Sequence, residues 1–255
     1  MKNLRFLLPL IIMASCQKQS VTETTPDSAA QLKKLEVCYT DPASLLQIPV
    51  MPPELTAGRV KPPAPSGNYS CIYLDFDGQT VRNSNWNGGA TLQCAPAGLN
   101  STQIEEVLNQ VRYAYAPYNV VITSNETEFF NANRYMRTRI IVTPTSAWRP
   151  GVSGIAYNNS ITWGDDTPGF VFSDRLYNIT HHIGEIAAHE SGHTLSLNHQ
   201  AVFDSNCGLL ESYAMGKIMG NSLYVPNGEW ITGTTLTCNT FQNDALILKN
   251  KLGLR

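Results

Sequence analysis

The chain has 255 residues, of which 42% are hydrophobic and 15% charged, with a formal net charge of -2. This composition is typical of a folded globular protein with one good core, and it excludes a chain that is disordered throughout. The near-zero charge, with no block of Lys or Arg, argues against a nucleic-acid partner.

The first residues are typical of an export signal. Lys2 and Arg5 precede an apolar run, 6–13, which is too short to span a bilayer and ends on small residues before Cys16. This pattern resembles the bacterial lipoprotein signal, in which the chain is cut before the cysteine and the cysteine is acylated. An ordinary secretory signal is the alternative. Both interpretations predict an extracytoplasmic protein, and the first predicts a lipid anchor at Cys16 in the outer membrane or at the cell surface.

The rest of the chain is predicted to form one folded unit behind a tether. After a signal peptide of residues 1–15, residues 16–66 are predicted to be the lipid anchor, a polar tether and a Pro-rich segment. Prolines mark an extended connector at positions 52, 53, 62, 63 and 65. Residues 67–255 are predicted to be a single catalytic domain, without internal repeats and monomeric.

Hydrophobic periodicity predicts a mixed α/β domain. Strands are predicted at 71–77, 119–123, 139–143, 154–157 and 170–172. Helices are predicted at 104–115, with Ser101, Thr102 and Glu105 as capping residues, at 179–195, and near 241–251. The segment between the last two helices is rich in Gly, Asn, Ser and Pro, which predicts a loop-rich C-terminal part.

All five histidines lie between positions 181 and 199, and a metal site is the simplest reason for this concentration. His189 and His193 are four residues apart, so on a helix they share one face and can direct imidazole nitrogens at one ion. For zinc the distance is about 2.0–2.1 Å. Glu190, the next residue, is placed to act as general base on a water at that ion.

His199 is the candidate third ligand. It lies six residues after His193, too far for the same helical face, so the helix must end between them. Three neutral imidazoles would leave zinc its charge and one open position, where a bound water ionises near pH 7. This set of residues predicts metal-assisted hydrolysis of an amide, with Glu190 carrying the proton.

The spacing HExxHxxxxxH resembles the metzincin metallopeptidases, whose pattern is HExxHxxGxxH followed by a methionine turn. Ser196 stands where that family has glycine. A serine with positive φ costs about 1 kcal/mol, and a different turn is the alternative. Lys217-Ile218-Met219-Gly220 resembles the methionine turn, so the resemblance implies that Met219 packs beneath the histidines. Met215 is a weaker candidate for that place.

The resemblance implies a fold and a substrate site. The fold would be a twisted, mostly parallel sheet with an antiparallel edge strand, an active-site helix and a loop-rich C-terminal subdomain. An extended protein or peptide substrate would pair with the edge strand, in a pocket partly walled by the C-terminal loops. The residues implied to contact substrate are Gly154, Ile155, Ala156, Tyr157, Gln200 and Tyr213.

The implied function is a zinc-dependent endopeptidase that acts on extracytoplasmic proteins. Two alternatives stay open. One is a surface-binding lipoprotein that keeps the zinc without catalysis, although structural zinc normally has a fourth protein ligand. The other is a zinc hydrolase of a non-protein amide.

Five cysteines remain besides the predicted acylation site, an odd number for an oxidising compartment. Pairing of Cys71 with Cys94 and of Cys207 with Cys238 is predicted, because each pair brackets one local segment. Cys38 is left over. By analogy with the prosegment cysteine of some metzincins, its thiolate could hold the enzyme latent; a partnered or exposed cysteine is the alternative.

Other candidate ligands have simpler interpretations. His181 and His182 are predicted to be exposed residues at the helix start. Asp165 and Asp166 could join a calcium site, but an ordinary turn before Pro168 is the preferred interpretation.

Overall fold

The computed structural model describes residues 35–39, 68–82 and 84–255. The predicted signal peptide, Cys16 and most of the predicted tether lie outside the described residues. None of the described helices has the length and apolar character needed to cross a membrane.

The domain alternates strands and helices in its first half and is mostly short strands after the long third helix. The strands are β1 (Leu35–Tyr39), β2 (Ser70–Asp75), β3 (Gln79–Val81), β4 (Leu92–Cys94), β5 (Val120–Thr123), β6 (Arg137–Thr143), β7 (Val152–Tyr157), β8 (Gly169–Phe172), β9 (Gln200–Phe203), β10 (Leu209–Glu211), β11 (Thr232–Thr235) and β12 (Phe241–Asn243). The helices are α1 (Ser101–Ala114), α2 (Glu126–Asn131), α3 (Thr180–Thr194) and α4 (Asp244–Leu252).

The main sheet has six strands in the order β1-β7-β8-β6-β2-β5. Strands β5, β2, β6 and β8 are mutually parallel, whereas β7 is antiparallel to β8. The mixed α/β class, the mostly parallel sheet and the antiparallel strand are therefore confirmed. One feature differs from the sequence prediction: β1, from the segment predicted to be tether, pairs with the outer side of β7 and becomes the edge.

Strand alternation divides the core between the two faces of this sheet. Ile72 and Leu74 of β2 face the larger cluster with α1 and α3, while Cys71 and Tyr73 face a smaller cluster with Phe129 of α2. Helix α3 packs between the sheet, α1 and the C-terminal part, and nearly all its side chains are buried. A helix covered on every side shows little amphipathic periodicity, so its histidines were a clearer sequence signal than its apolar pattern.

Helix α1 begins one residue earlier than its predicted caps. Asn100 is the N-cap: its side chain accepts from the Gln103 N–H, and the Gln103 side chain accepts from the Asn100 N–H. This reciprocal pair is a capping box. The predicted capping roles of Ser101, Thr102 and Glu105 were therefore wrong, because Asn100 is the last residue with extended backbone.

The C-terminal part contains a second sheet, in the order β10-β9-β11-β12, where the sequence predicts loops. The predicted disulfide between Cys207 and Cys238 is confirmed, with the two Cα atoms 5.6 Å apart. It joins the β9–β10 turn to the β11–β12 turn.

The predicted disulfide between Cys71 and Cys94 was wrong, because both thiols are free and buried. Cys71 lies near the start of β2. Cys94 lies next to Gly78, past the other end of that strand: its carbonyl oxygen would be 2.9 Å from a Cβ on Gly78. Five residues of extended chain from Cys71 to Phe76 span about 16 Å, well beyond the reach of a disulfide.

Candidate metal centre

Three buried imidazoles converge at the C-terminal end of α3. The Nε2 atom of His199 lies 3.0 Å from Nε2 of His193 and 3.1 Å from Nε2 of His189. The three side chains are at most 3% exposed. Within the described residues they are the one group of three or more potential ligands close enough to share a metal ion.

The tautomers of two histidines suit metal binding. His189 Nδ1 donates to the carbonyl oxygen of Ile218, and His193 Nδ1 donates to that of Leu197, 2.8 Å away. Because a carbonyl oxygen can only accept, both Nδ1 atoms carry the proton and both Nε2 atoms present lone pairs. Lone pairs aimed at one point repel each other unless a cation lies between them.

The spacing of the nitrogens also fits. Four-coordinate zinc with bonds of about 2.0–2.1 Å places its ligand nitrogens about 3.3 Å apart. The observed separations of 3.0 and 3.1 Å are close to this value. Three imidazoles form a donor set that suits a divalent transition metal and leaves a position open.

A Schellman turn brings His199 back to α3. The N–H of Leu197 donates to the Gly192 carbonyl, and the N–H of Ser196 donates to the His193 carbonyl. Ser196 has φ +80, so this serine adopts the left-handed conformation that glycine favours rather than a different turn. Its hydroxyl donates to Asn159 Oδ1 at 2.8 Å, which offsets part of the backbone strain.

Both neighbours of His199 are held by the C-terminal end of the chain. Asn198 donates from its backbone N–H to Gln242 Oε1 at 2.8 Å, and its carbonyl accepts from Gln242 Nε2 at 2.8 Å. Gln200 Nε2 donates to Asp244 Oδ1 at 2.8 Å, and Gln242 Nε2 donates to the same oxygen at 2.9 Å. The third imidazole therefore lies on an irregular segment that is fixed on both sides.

A buried acid supports the other end of the site. Glu185 lies one turn before His189 and accepts from Gln110 Nε2 on α1 and from the Gly228 N–H at 3.4 Å. Burial raises the pKa of Glu185 to about 7, and likewise that of Asp244 to about 7. Neither acid has a recognisable sequence motif, so both were missed before the structure.

Met219 packs against the helix that carries the histidines. The residue is fully buried, and a Cβ added to Gly192 would lie 2.7 Å from its Sδ and 3.2 Å from the Trp230 ring. Gly192, between His189 and His193, therefore permits this close approach. Met215, the weaker candidate for the methionine turn, is 56% exposed.

The candidate base lies against β7. Glu190 is fully buried, and a Cβ added to Gly154 would overlap Glu190 Oε1 and lie 2.7 Å from Ile186 Cγ2. Only glycine fits at this position, so the backbone of β7 passes directly beside the carboxylate.

The remaining predicted substrate contacts lie in β7 and in the C-terminal part of the domain. Ile155 and Ala156 are fully buried, and the Tyr157 hydroxyl donates to the Asn85 carbonyl at 3.0 Å. Gln200 is fully buried and donates to Asp244, and its role as a pocket wall stays a prediction. Tyr213 does lie at the centre, with its ring 5.2 Å from that of His199.

Neither of the other histidines joins the cluster, and their predicted exposure was wrong for His182. That side chain is 1% exposed, and burial lowers its pKa to about 4. His181 is partly buried, with Nε2 3.0 Å from the Val225 carbonyl oxygen. His181 thus contacts the loop after Met219, and the ring of His182 lies 5.7 Å from that of His181.

The acidic pair at 165–166 has partners that agree with the turn interpretation. Asp166 forms a two-bond ion pair with Arg137, at 2.9 and 2.7 Å. Asp165 Oδ1 accepts from the Thr167 N–H at 3.1 Å, as in an Asx turn.

The site thus combines three converging imidazoles, an adjacent buried carboxylate and a strand that passes beside that carboxylate. In comparisons with known proteins, no protein-family model and no curated protein matches the chain. Functional assignment therefore rests on the geometry of the site.

Proposed function

We propose that this protein is a zinc-dependent endopeptidase that cleaves extracytoplasmic proteins or peptides. One observation carries the proposal. The Nε2 atoms of His189 and His193 both lie within 3.1 Å of Nε2 of His199, and the buried Glu190 follows His189 on the same helix. A purely structural zinc site would need neither the adjacent carboxylate nor an open coordination position.

The residues divide the chemistry between them. A bound zinc ion would polarise the scissile carbonyl and lower the pKa of water. Glu190 accepts the proton of the attacking water and passes it to the leaving nitrogen. His189 and His193 would hold the ion through Nε2, because carbonyl oxygens accept their Nδ1 protons. Glu190 is fully buried, so solvent screens its interaction with a nearby proton only weakly.

We also propose that the chain is a metzincin. The order of the parallel strands with an antiparallel β7, the Schellman turn at Ser196 and the packing of Met219 on Gly192 support this assignment. The left-handed conformation of Ser196 meets the geometric requirement that the family meets with glycine.

The location outside the cytoplasm, with a lipid at Cys16, is likewise a proposal. The export signal supports it, and so does the Cys207–Cys238 disulfide, since disulfides persist in oxidising compartments. A monomeric state and the lack of a nucleic-acid partner stay predictions from composition.

The test uses the purified full chain with metal analysis and a casein assay. We expect about one zinc per chain and casein cleavage. In Glu190→Gln the zinc content should stay unchanged while the rate falls at least a hundredfold, on the order expected for loss of a general base. In His199→Ala zinc content and activity should both fall.

The outcomes separate the alternatives. Stoichiometric zinc without cleavage of casein or of a proteome-derived peptide library would favour a binding protein or a hydrolase of another amide. Absence of zinc or another transition metal from the purified protein would contradict the proposal.

A further inference from the structure

The outer side of β7 is covered by a strand from the N-terminal part of the chain. Strand β1 pairs antiparallel with β7, with Leu35 opposite Tyr157, Val37 opposite Ile155 and Cys38 opposite Gly154. The register is irregular between Cys38 and Tyr39. Among the described strands, β1 neighbours only β7.

This pairing takes place beside the candidate base. Gly154 is the residue whose Cα faces the Glu190 carboxylate, and the backbone of Cys38 is its partner across the ladder. Each edge of a strand has one row of N–H and C=O groups, so β7 cannot pair with a second extended chain while β1 is present.

The position of β1 allows it to leave the sheet without disturbing the other strand pairs. In the sheet β7, β8 and β6 lie between β1 and β2, although β2 is the next strand along the chain. Loss of β1 would leave the other five strands paired as they are. The covalent link holds β1 near its site at an effective concentration on the order of millimolar.

We propose that residues 35–39 act as an internal competitor of the substrate, by occupying the outer edge of β7 at which an extended peptide would otherwise pair. The consequence for catalysis rests on the proposed function. Occupation depends on backbone pairing, so it requires no thiol ligand at Cys38 and differs in this respect from latency through a thiolate. Release of β1 would open the strand beside Glu190 to an external polypeptide.

Proline substitutions in the full chain test the pairing. In an antiparallel ladder only every second residue bonds to the partner strand. One of the neighbours Glu36 and Val37 therefore donates its N–H to β7, and the corresponding variant, Glu36→Pro or Val37→Pro, removes that donor. Glu36→Thr and Val37→Thr keep that donor and serve as matched controls. Hydrogen exchange of the amides at 152–157 should be at least about tenfold faster in one proline variant than in its control, because a paired edge becomes exposed.

Binding is measured apart from hydrolysis, on a Glu190→Ala background. The probe is a fluorescein-labelled peptide of residues 33–41 with Ser in place of Cys38. Its affinity should rise about tenfold or more in the proline variant that frees β7, since the tethered competitor is weakened. In chains that retain Glu190, casein cleavage should rise in the same variant.

Equal peptide affinity in proline and threonine variants would overturn the proposal, as would unchanged exchange at 152–157. Higher affinity without cleavage in any variant would support occupation of the edge and contradict the peptidase. Cleavage at one rate in all variants, with equal affinity, would support the peptidase and contradict the internal competitor.

Discussion

Replacement of Gln242 should weaken the candidate metal centre through the segment that carries His199. Gln242 makes four hydrogen bonds: Oε1 accepts from Asn198 N at 2.8 Å and from Asn198 Nδ2 at 3.1 Å, and Nε2 donates to the Asn198 carbonyl at 2.8 Å and to Asp244 at 2.9 Å. Three of these bonds hold the residue that precedes His199. Gln242→Ala therefore frees the segment that carries the third ligand.

The size of the effect follows from these contacts. Each bond contributes about 1 kcal/mol net, and backbone groups left buried without a partner cost more, so the free energy of unfolding should fall by about 2–4 kcal/mol. Loss of a residue that orients a ligand typically lowers metal affinity about 10–100-fold. We expect zinc affinity to fall within that range.

Two measurements on the full chain check this prediction. Urea unfolding gives the stability, and competition with a chromogenic chelator gives the zinc affinity. Gln93→Ala is the matched control, because Gln93 is the exposed residue of β4 and its side chain bonds only to Thr80 among the contacts described. Zinc affinity within twofold of the original, alongside a loss of stability, would show that Gln242 supports the second sheet but does not position His199.

Three further predictions concern stability. Ser196→Ala keeps the left-handed strain and loses the hydrogen bond to Asn159, so the free energy of unfolding in urea should fall by about 1–2 kcal/mol. Ser196→Gly should be nearly neutral, because relief of the strain offsets the lost bond, and equal losses of stability in both variants would refute the role of φ. Replacement of Cys207 and Cys238 by serine should cost about 3–4 kcal/mol from chain entropy, given their separation of 31 residues, and reductant should have no effect on the double variant. The pKa of Glu185 is raised from 4.5 to about 7 by burial, so the folded state binds the extra proton and this residue lowers stability as pH rises from about 4.5 to about 7. Glu185→Gln should therefore gain stability relative to the original chain between pH 5.5 and pH 8.5, and a constant difference across that range would contradict the shift.

The parts of the site predicted from sequence depend on short-range geometry. His189, Glu190 and His193 lie within five residues of one helix, where the spacing of four alone places the two histidines on a common face. The bend to His199 was foreseen for the same reason, since a turn of a few residues has few conformations. The positive φ at Ser196 was one of two alternatives, and the structure selects it. The Cys207–Cys238 pair was also predicted, but the same argument failed for Cys71 and Cys94, because a straight strand separates those two.

The sequence by itself therefore determined the candidate triad of histidines, the candidate base beside it, and the alternation of strands and helices, all of which follow from local periodicity and turn chemistry. Only the tertiary structure decided which distant groups surround the triad: Gln242 and Asp244 beside His199, Glu185 behind His189, Gly154 against Glu190, and β1 along β7. These contacts join residues tens of positions apart. Their partners are selected by the shared burial of polar groups that must be satisfied away from water, and no local pattern encodes that selection.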